Sequence, residues 1–309
     1  MGDPSGIGPI VTFKAIQQLK DYADFIVIGD RWVFDKVRSS KFEVRRYKFI
    51  DLDNVGHKNF SFGKIRTEYG RASMEYLKKA IELLEDKEID CLVTAPISKE
   101  AINKAGFRYK GHTEFISERT KAKNTVMMLL NKHLRFSLAS RHIPLKEVSG
   151  NLNPDKLHKT IFLTYRALKT MFLIKNPRIA VCGLNPHASD NGLIGDEEKK
   201  IIKPVLDKFR KQFNARIDGP ASCDAVIQKA YRKQYDCVIA MYHDQALIPL
   251  KLTDFDTGVN LTLGLGFVRT SPLHGTAFDV AGKPRLINHK SMAEAVKLAV
   301  KCTANLKRA

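Results

Sequence analysis

Cys237-Val238-Ile239-Ala240-Met241-Tyr242-His243-Asp244-Gln245 is an apolar run of five residues that ends in a polar turn. A short run with no polar alternation reads as a strand buried on both faces, as in a parallel sheet. Outward from it the same text recurs at Phe25 to Gly29, Cys91 to Ala95, Leu134 to Ser140 and Arg178 to Gly183. Amphipathic stretches lie between these runs. Tyr69 to Glu88 places Leu77, Ile81 and Leu84 on one face at helical spacing, and Glu197 to Phe213 does the same with Ile201, Ile202, Val205 and Phe209. Strand and helix in alternation imply an α/β fold, with parallel sheets covered by helices on both faces. The sequence has no internal repeat, low-complexity segment or long linker, so two domains would share the chain discontinuously.

The 309 residues suffice for one large or two medium domains. A hydrophobic fraction of 44% and a charged fraction of 28% are those of a globular protein. No apolar run approaches the roughly 18 residues of a membrane span. Met1 to Gly6 lacks the charged-then-apolar order of a signal peptide, and the expectation is a cytoplasmic protein. The five cysteines (Cys91, Cys182, Cys223, Cys237, Cys302) form no C-x-x-C motif and read as reduced core residues. The net charge of +19 is the unusual number, since it suits either nucleic acid or an anionic substrate. Its lysines and arginines are spread along helix-like segments and mixed with acids, as at Lys199, Lys200, Lys208 and Arg210, which favours a solvated basic surface. A basic nucleic-acid-binding protein on an inactive scaffold is the alternative of another class.

Three histidines follow closely on predicted strands: His142, His187 and His243. In parallel α/β sheets ligands bind beyond the carboxyl ends of strands. Imidazoles gathered there suit a divalent ion with positions left open for substrate, whereas each histidine alone reads more readily as a loop residue than as a ligand. Around His243 the text is dense in polar groups, and Lys251, Asn260 and Arg269 are donors suited to a phosphate or carboxylate. A second cluster, Thr94 to Glu100 and then Gly111-His112-Thr113-Glu114-Phe115, offers donors to the same kind of anion or simply turns the chain. The opening loop, Gly2-Asp3-Pro4-Ser5-Gly6-Ile7-Gly8-Pro9, leads into a helix-like stretch reaching about Leu19. It lacks the third glycine of a dinucleotide-binding fingerprint, although Asp30 after Phe25 to Gly29 imitates the ribose-binding acid.

GDPSGIGP (2–9), TAPISKEA (94–101), GHTEF (111–115), GLNPHASDNGLIGDEE (183–198), AMYHDQ (240–245) and GVNLTLGLGFVRTSPLHGTAFDVAG (258–282) together resemble the 4-hydroxythreonine-4-phosphate dehydrogenase family of vitamin B6 biosynthesis. That resemblance implies two α/β/α domains with a cleft between them, as in isocitrate and isopropylmalate dehydrogenases. The expected domains are residues 1–105 with 270–309, and residues 106–269 with the dimer interface. It implies a homodimer whose site is shared across the interface, NAD or NADP held without the fingerprint, and a divalent metal (zinc, magnesium or cobalt) on His142, His187 and His243. Substrate contacts would fall at His112, Thr113, Lys251, Asn260 and Arg269, with Asp224 and Asp244 as candidates for proton handling or support of a histidine. The implied reaction oxidises the C3 hydroxyl of 4-phosphooxy-L-threonine, and the β-keto acid formed then loses carbon dioxide. Relatives acting on D-threonate or D-erythronate 4-phosphate are the rival, and a metal-dependent phosphatase is a third reading. Departures from the family pattern are Ile10 in place of a glutamate, Ser189-Asp190-Asn191 in place of glycine-rich text, and Gly266 in place of a proline. The family's strand before Gly2 has no counterpart here, and the expectation is that Met1 is an internal methionine and that an edge or central strand is missing.

Overall fold

The computed structural model describes residues 1–38, 44 and 46–308. Its strands are β1 (Phe25–Gly29), β2 (Tyr47–Asp51), β3 (Cys91–Val93), β4 (Val126–Leu130), β5 (Arg135–Leu138), β6 (Arg178–Cys182), β7 (Arg216–Ala221), β8 (Cys237–Ala240), β9 (Val259–Leu263) and β10 (Val268–Pro272). The chain divides into two compact units, residues 1–123 with 265–303, and residues 124–264 with 304–309. The five apolar runs singled out in the sequence all contain strands, and strand and helix alternate as their spacing predicts.

In the first unit β1 pairs in parallel with β2, and β3 pairs in parallel with β10, placing Arg269 opposite Leu92. These two pairs belong to separate sheets. The Met1 amine donates to the Ile28 carbonyl at 2.8 Å and the Asp3 N–H to the Pro96 carbonyl at 2.9 Å, so residues 1–3 run past the ends of β1 and β3. Gly2 is at φ 72° and its α-carbon abuts the Ala95 and Pro96 carbonyls, where a side chain has neither room nor a favoured backbone. The helix Gly8–Gln18 buries Ile10, Val11 and Ala15 against Ala95, Met292 and Val296. Ile10 is fully buried in that apolar cluster, where a glutamate would lose its water. The helix Thr67–Glu85 buries Tyr69, Met74, Leu77 and Ile81 in another cluster with Leu92, Phe115 and Ile116. Each such aliphatic side chain contributes roughly 1.5–3 kcal/mol on leaving water.

In the second unit the strands lie in the order β9-β4-β5-β8-β6-β7. β5, β8, β6 and β7 are parallel neighbours, whereas β4 runs antiparallel to both β5 and β9. The all-parallel sheet expected from the sequence is therefore corrected to a mixed one. The reason is local: β4 and β5 are joined by the tight turn at Asn131, whose N–H donates to Leu134 O, and so short a link permits only a hairpin. Asn131 Oδ1 accepts from the His133 and Leu134 N–H groups at 2.8 and 2.9 Å, and its amide donates to Leu250 O at 2.8 Å. The stretch expected as one helix from Glu197 to Phe213 is a π-helical turn, Glu198–Ile202, followed by an α-helix, Lys203–Phe213. Pro204 stands at that junction, where its ring and missing N–H would break an α-helical ladder. Among the described residues no helix is long and apolar enough to cross a membrane.

Candidate active site

β5, β6 and β8 are parallel neighbours, so their carboxyl ends reach the same edge of the sheet. The β5–β8 ladder runs on past its ends: Ala139 N–H donates to Ala240 O, and Ser140 donates to Met241 O from both its N–H (3.1 Å) and its hydroxyl (2.6 Å). That continued pairing brings the residues that follow side by side, and the His142 and His243 rings stand 5.6 Å apart between centroids. His243 opens the helix His243–Asp254, and its Nδ1 is hydrogen-bonded to Asp244 Oδ1 at 2.6 Å. A carboxylate on Nδ1 fixes the ring and directs Nε2 outward, as behind a metal-ligating imidazole.

Gln245 joins this end of β8 to that of β6: its Oε1 accepts from Met241 N–H at 2.8 Å and its Nε2 donates to Gly183 O at 2.9 Å. Gly183 opens the loop to His187. Its missing side chain matters, because a β-carbon there would stand 2.8 Å from Ala188 Cα and 3.0 Å from Glu198 Oε1. Buried Glu198 accepts from Asn185 N–H (2.8 Å) and its amide (2.9 Å), which ties the loop to the π-helical turn. His187, Ala188, Ser189, Asp190 and Asn191 then take successive φ values of 52°, 53°, 69°, 45° and 57°, a left-handed turn without glycine. Such backbone costs roughly 1–2 kcal/mol per residue and persists where its surroundings impose it. Asp224 lies near His187. Its carboxyl is held below the usual range by the Ser222 hydroxyl and the Ala225 N–H, with a smaller contribution from His187.

The strand-end histidines are thus in one unit, with His142 beside His243. Among the described residues no three His, Cys, Asp or Glu side chains gather closely enough to hold a metal ion. The two imidazoles of His142 and His243, one backed by Asp244, fit part of a divalent metal's donor set. Lys251 lies on the exposed side of the helix His243–Asp254 with Nζ 5.6 Å from the centre of the Phe255 ring, and Asn260 is on β9 opposite Leu129.

The other expected substrate residues belong to the first unit. Arg269 is buried on β10, and its guanidinium donates to Thr94 Oγ1 at 2.6 Å. Burial pushes it down to about 10, against the charge of Glu114, and it stays cationic at neutral pH. His112 opens the helix His112–Arg119. Loss of water around the ring and the charge of Arg269 hold it well below its ordinary value, so it is neutral, and a hydrogen bond with the Ala95 backbone opposes the shift. Thr113 beside it is buried. A fixed guanidinium, a neutral imidazole and a helix N-terminus suit a phosphate or carboxylate. In the sequence Thr94 reads only as the end of a strand-like run and the start of the loop after it. Its role as the acceptor that orients Arg269 depends on the β3–β10 pairing across 175 residues of chain. Asp30 accepts from the Val55 N–H at 2.9 Å and from the Tyr76 hydroxyl inside the core, a structural role in place of the ribose-binding one.

Each α/β unit thus carries its own polar cluster: imidazoles at the ends of parallel strands in the second, and a buried, oriented guanidinium, a group suited to an anion, in the first. The chain belongs to the family of the pyridoxal phosphate biosynthetic protein PdxA, whose model matches residues 13–299. It is 40% identical to the 4-hydroxythreonine-4-phosphate dehydrogenase of Sulfurihydrogenibium sp. over 97% of this chain and 96% of that one. It is 37% identical to a protein of Oceanobacillus iheyensis named as a D-threonate 4-phosphate dehydrogenase, over 97% and 95% of the two chains. The crystal structure of 4-hydroxythreonine-4-phosphate dehydrogenase from Klebsiella pneumoniae superposes with a TM-score of 0.86 at 32% identity, covering 98% of this chain and 96% of that one. Isocitrate dehydrogenase of Methylococcus capsulatus shares the fold at 12% identity, with a TM-score of 0.51 over 99% and 85% of the chains. The chain is therefore an oxidoreductase of the fold class its motifs imply.

Proposed function

We propose that this enzyme oxidises 4-phosphooxy-L-threonine with NAD or NADP to 2-amino-3-oxo-4-phosphooxybutanoate, which decarboxylates to 3-amino-2-oxopropyl phosphate in pyridoxal phosphate biosynthesis. The observation that carries this reading is Arg269, a buried cation fixed by Thr94 beside the neutral ring of His112. In that reading Arg269, His112 and Thr113 hold a charged end of the substrate, and Lys251 and Asn260 supply further donors. Orientation of this kind is worth several kcal/mol, to an order of magnitude. His142 and His243, with His187, would hold a divalent ion (zinc, magnesium or cobalt), which when bound supplies Lewis-acid polarisation of the C3 hydroxyl. Asp244 orients His243 through Nδ1, and Asp224 supports His187. NAD or NADP, when bound, would supply the acceptor for the C3 hydride, and the hydroxyl proton would pass to solvent. The carboxylate then leaves as carbon dioxide, and C2 takes up a proton.

A second copy of the chain completes the site in this reading. Ile248, Leu252 and Phe255 form one exposed apolar face of the helix that begins at His243, and Leu193 follows the His187 loop, with Leu193 and Leu252 each 85% exposed. An exposed apolar face of this kind favours burial against a partner.

The test is NADH absorbance with 4-phosphooxy-L-threonine, NAD and a divalent metal, beside a chelator control and D-erythronate 4-phosphate. A chelator-sensitive rise on the amino substrate supports the reading. A rise on the sugar acid alone transfers the enzyme to the second reading, D-threonate or D-erythronate 4-phosphate dehydrogenase, favoured by the Oceanobacillus relative. Release of inorganic phosphate without NADH makes it a phosphatase, and silence on all three overturns the proposal.

A further inference from the structure

Two of the five cysteines stand together. Cys182 is the buried last residue of β6, and Cys223 is the partly exposed first residue of the helix Cys223–Tyr231. The β6–β7 ladder sets Cys182 opposite Ala221, and Gly183 N–H donates to Ala221 O at 2.8 Å, which draws residues 221–223 alongside the end of β6. The two thiols perturb each other, an interaction that raises Cys182 and lowers Cys223 relative to an ordinary thiol.

Their position gives the pair leverage. Cys182 is followed at once by Gly183, whose two backbone groups are engaged by Ala221 and Gln245 and whose Cα face is closed by Ala188. Four residues beyond Gly183 is His187, the start of the left-handed turn. Asp224, next to Cys223, feels the charge of His187, and the Tyr242 hydroxyl, next to His243, feels both thiols.

We propose that Cys182 and Cys223 form an oxidation-sensitive dithiol, and that its conversion to a disulfide by a hydroperoxide locks the loop carrying His187 and switches the enzyme off. The activity part of this inference rests on the function proposed above. The Cys223 thiolate, at a helix N-terminus, attacks the peroxide: an S–O bond forms, the O–O bond breaks, and the alcohol or water leaves with the proton. The Cys182 sulfur then attacks the sulfenic sulfur: an S–S bond forms, the S–O bond breaks, and the hydroxyl leaves as water with the Cys182 proton. Two thiols have lost two electrons and two protons, and one peroxide has been reduced. The sulfurs must close to about 2.05 Å. Gly183 has no slack to absorb that movement, so the His187 loop takes it up.

The purified protein is treated with hydrogen peroxide, alkylated and mapped by mass spectrometry. The expected result is loss of two titratable thiols, a linked pair of peptides containing Cys182 and Cys223, slower chymotryptic cleavage after exposed Leu193, and reversal of all three by dithiothreitol. The dehydrogenase rate falls about tenfold or more on oxidation and returns on reduction. Cys223→Ser abolishes these responses and Cys302→Ser does not. Intact thiols, oxidation of Cys223 to sulfinic acid without linkage, or a linkage that leaves both loop cleavage and rate unchanged overturns the inference. Mapping and proteolysis need no turnover, so an enzyme silent on both substrates refutes the proposed function and leaves the dithiol decided by these two readouts.

Discussion

Arg269 shows how a single residue can be legible in part. Its text, amid Phe267-Val268 and Thr270-Ser271, marks a donor among polar groups after His243, and the ladder to β3 supplies the Thr94 hydroxyl that holds it. Arg269→Lys removes the planar fork, and kcat/KM is expected to fall about 100-fold, near 3 kcal/mol, with KM rising, as steady-state kinetics would register. Asp3 is the second case. It is fully buried, and loss of water pushes its carboxyl up to about 6 despite the Ser5 and Gly6 N–H groups. The folded protein therefore holds this proton more tightly than the unfolded chain does. The stabilisation is complete below about pH 4 and is lost as pH rises through about 6, on the order of 3 kcal/mol at the upper end. Asp3→Asn keeps an acceptor for Ser5 N–H without the charge. In urea titrations at pH 4 and pH 7 its midpoint should gain on that of the parent only at pH 7, and an equal offset at both would refute the assignment.

Among the elements, the left-handed turn from His187 to Asn191 is the most costly and the least legible. No residue between Pro186 and Gly192 is a glycine, so its text predicts no positive φ, yet five occur in succession. The anchors are distant: Glu198 from the π-helical turn and Gln245 from another helix fix the base of the loop. Asp190→Gly removes the Cβ penalty at an exposed position and should raise stability by roughly 0.5–1 kcal/mol, seen as a higher Tm, while loosening the His187 loop. The helix Pro154–Thr170, by contrast, can be read locally. Asn153 Oδ1 accepts from the Asp155 and Lys156 N–H groups at 2.9 and 3.1 Å, and Asn153→Ala should cost about 1 kcal/mol in chemical unfolding.

At the scale of the whole molecule, the exposed face formed by Ile248, Leu252 and Phe255 adjoins residues that the proposed reaction needs. If a second copy covers it, a double change of Ile248→Glu and Leu252→Glu should convert a dimer to a monomer in sedimentation velocity and abolish turnover without lowering the helical signal. A dimer that survives the change would place the interface elsewhere. Basic side chains such as Lys203 and Lys200 pair with Asp207 and Asp196, and the charge of +19 is the excess of 52 lysines and arginines over 33 acids. Exposed pairs of this kind contribute about 0–1 kcal/mol each.

The sequence by itself determined the alternation of buried strand and amphipathic helix, the family, and the identity of the residues that can bear chemistry. These depend on short-range period and on residue type, which a chain carries wherever it folds. It did not determine β2, β4, β7, β9 or β10, none of which was among the runs singled out in the sequence. Nor did it foretell the antiparallel β4 or the π-helical turn before Pro204. Strand partners, and the acceptor that orients a buried guanidinium, are chosen across more than 100 residues by which backbone edges come to lie together. Only the tertiary structure could decide that Thr94 fixes Arg269, that His142 stands beside His243, and that Cys182 meets Cys223.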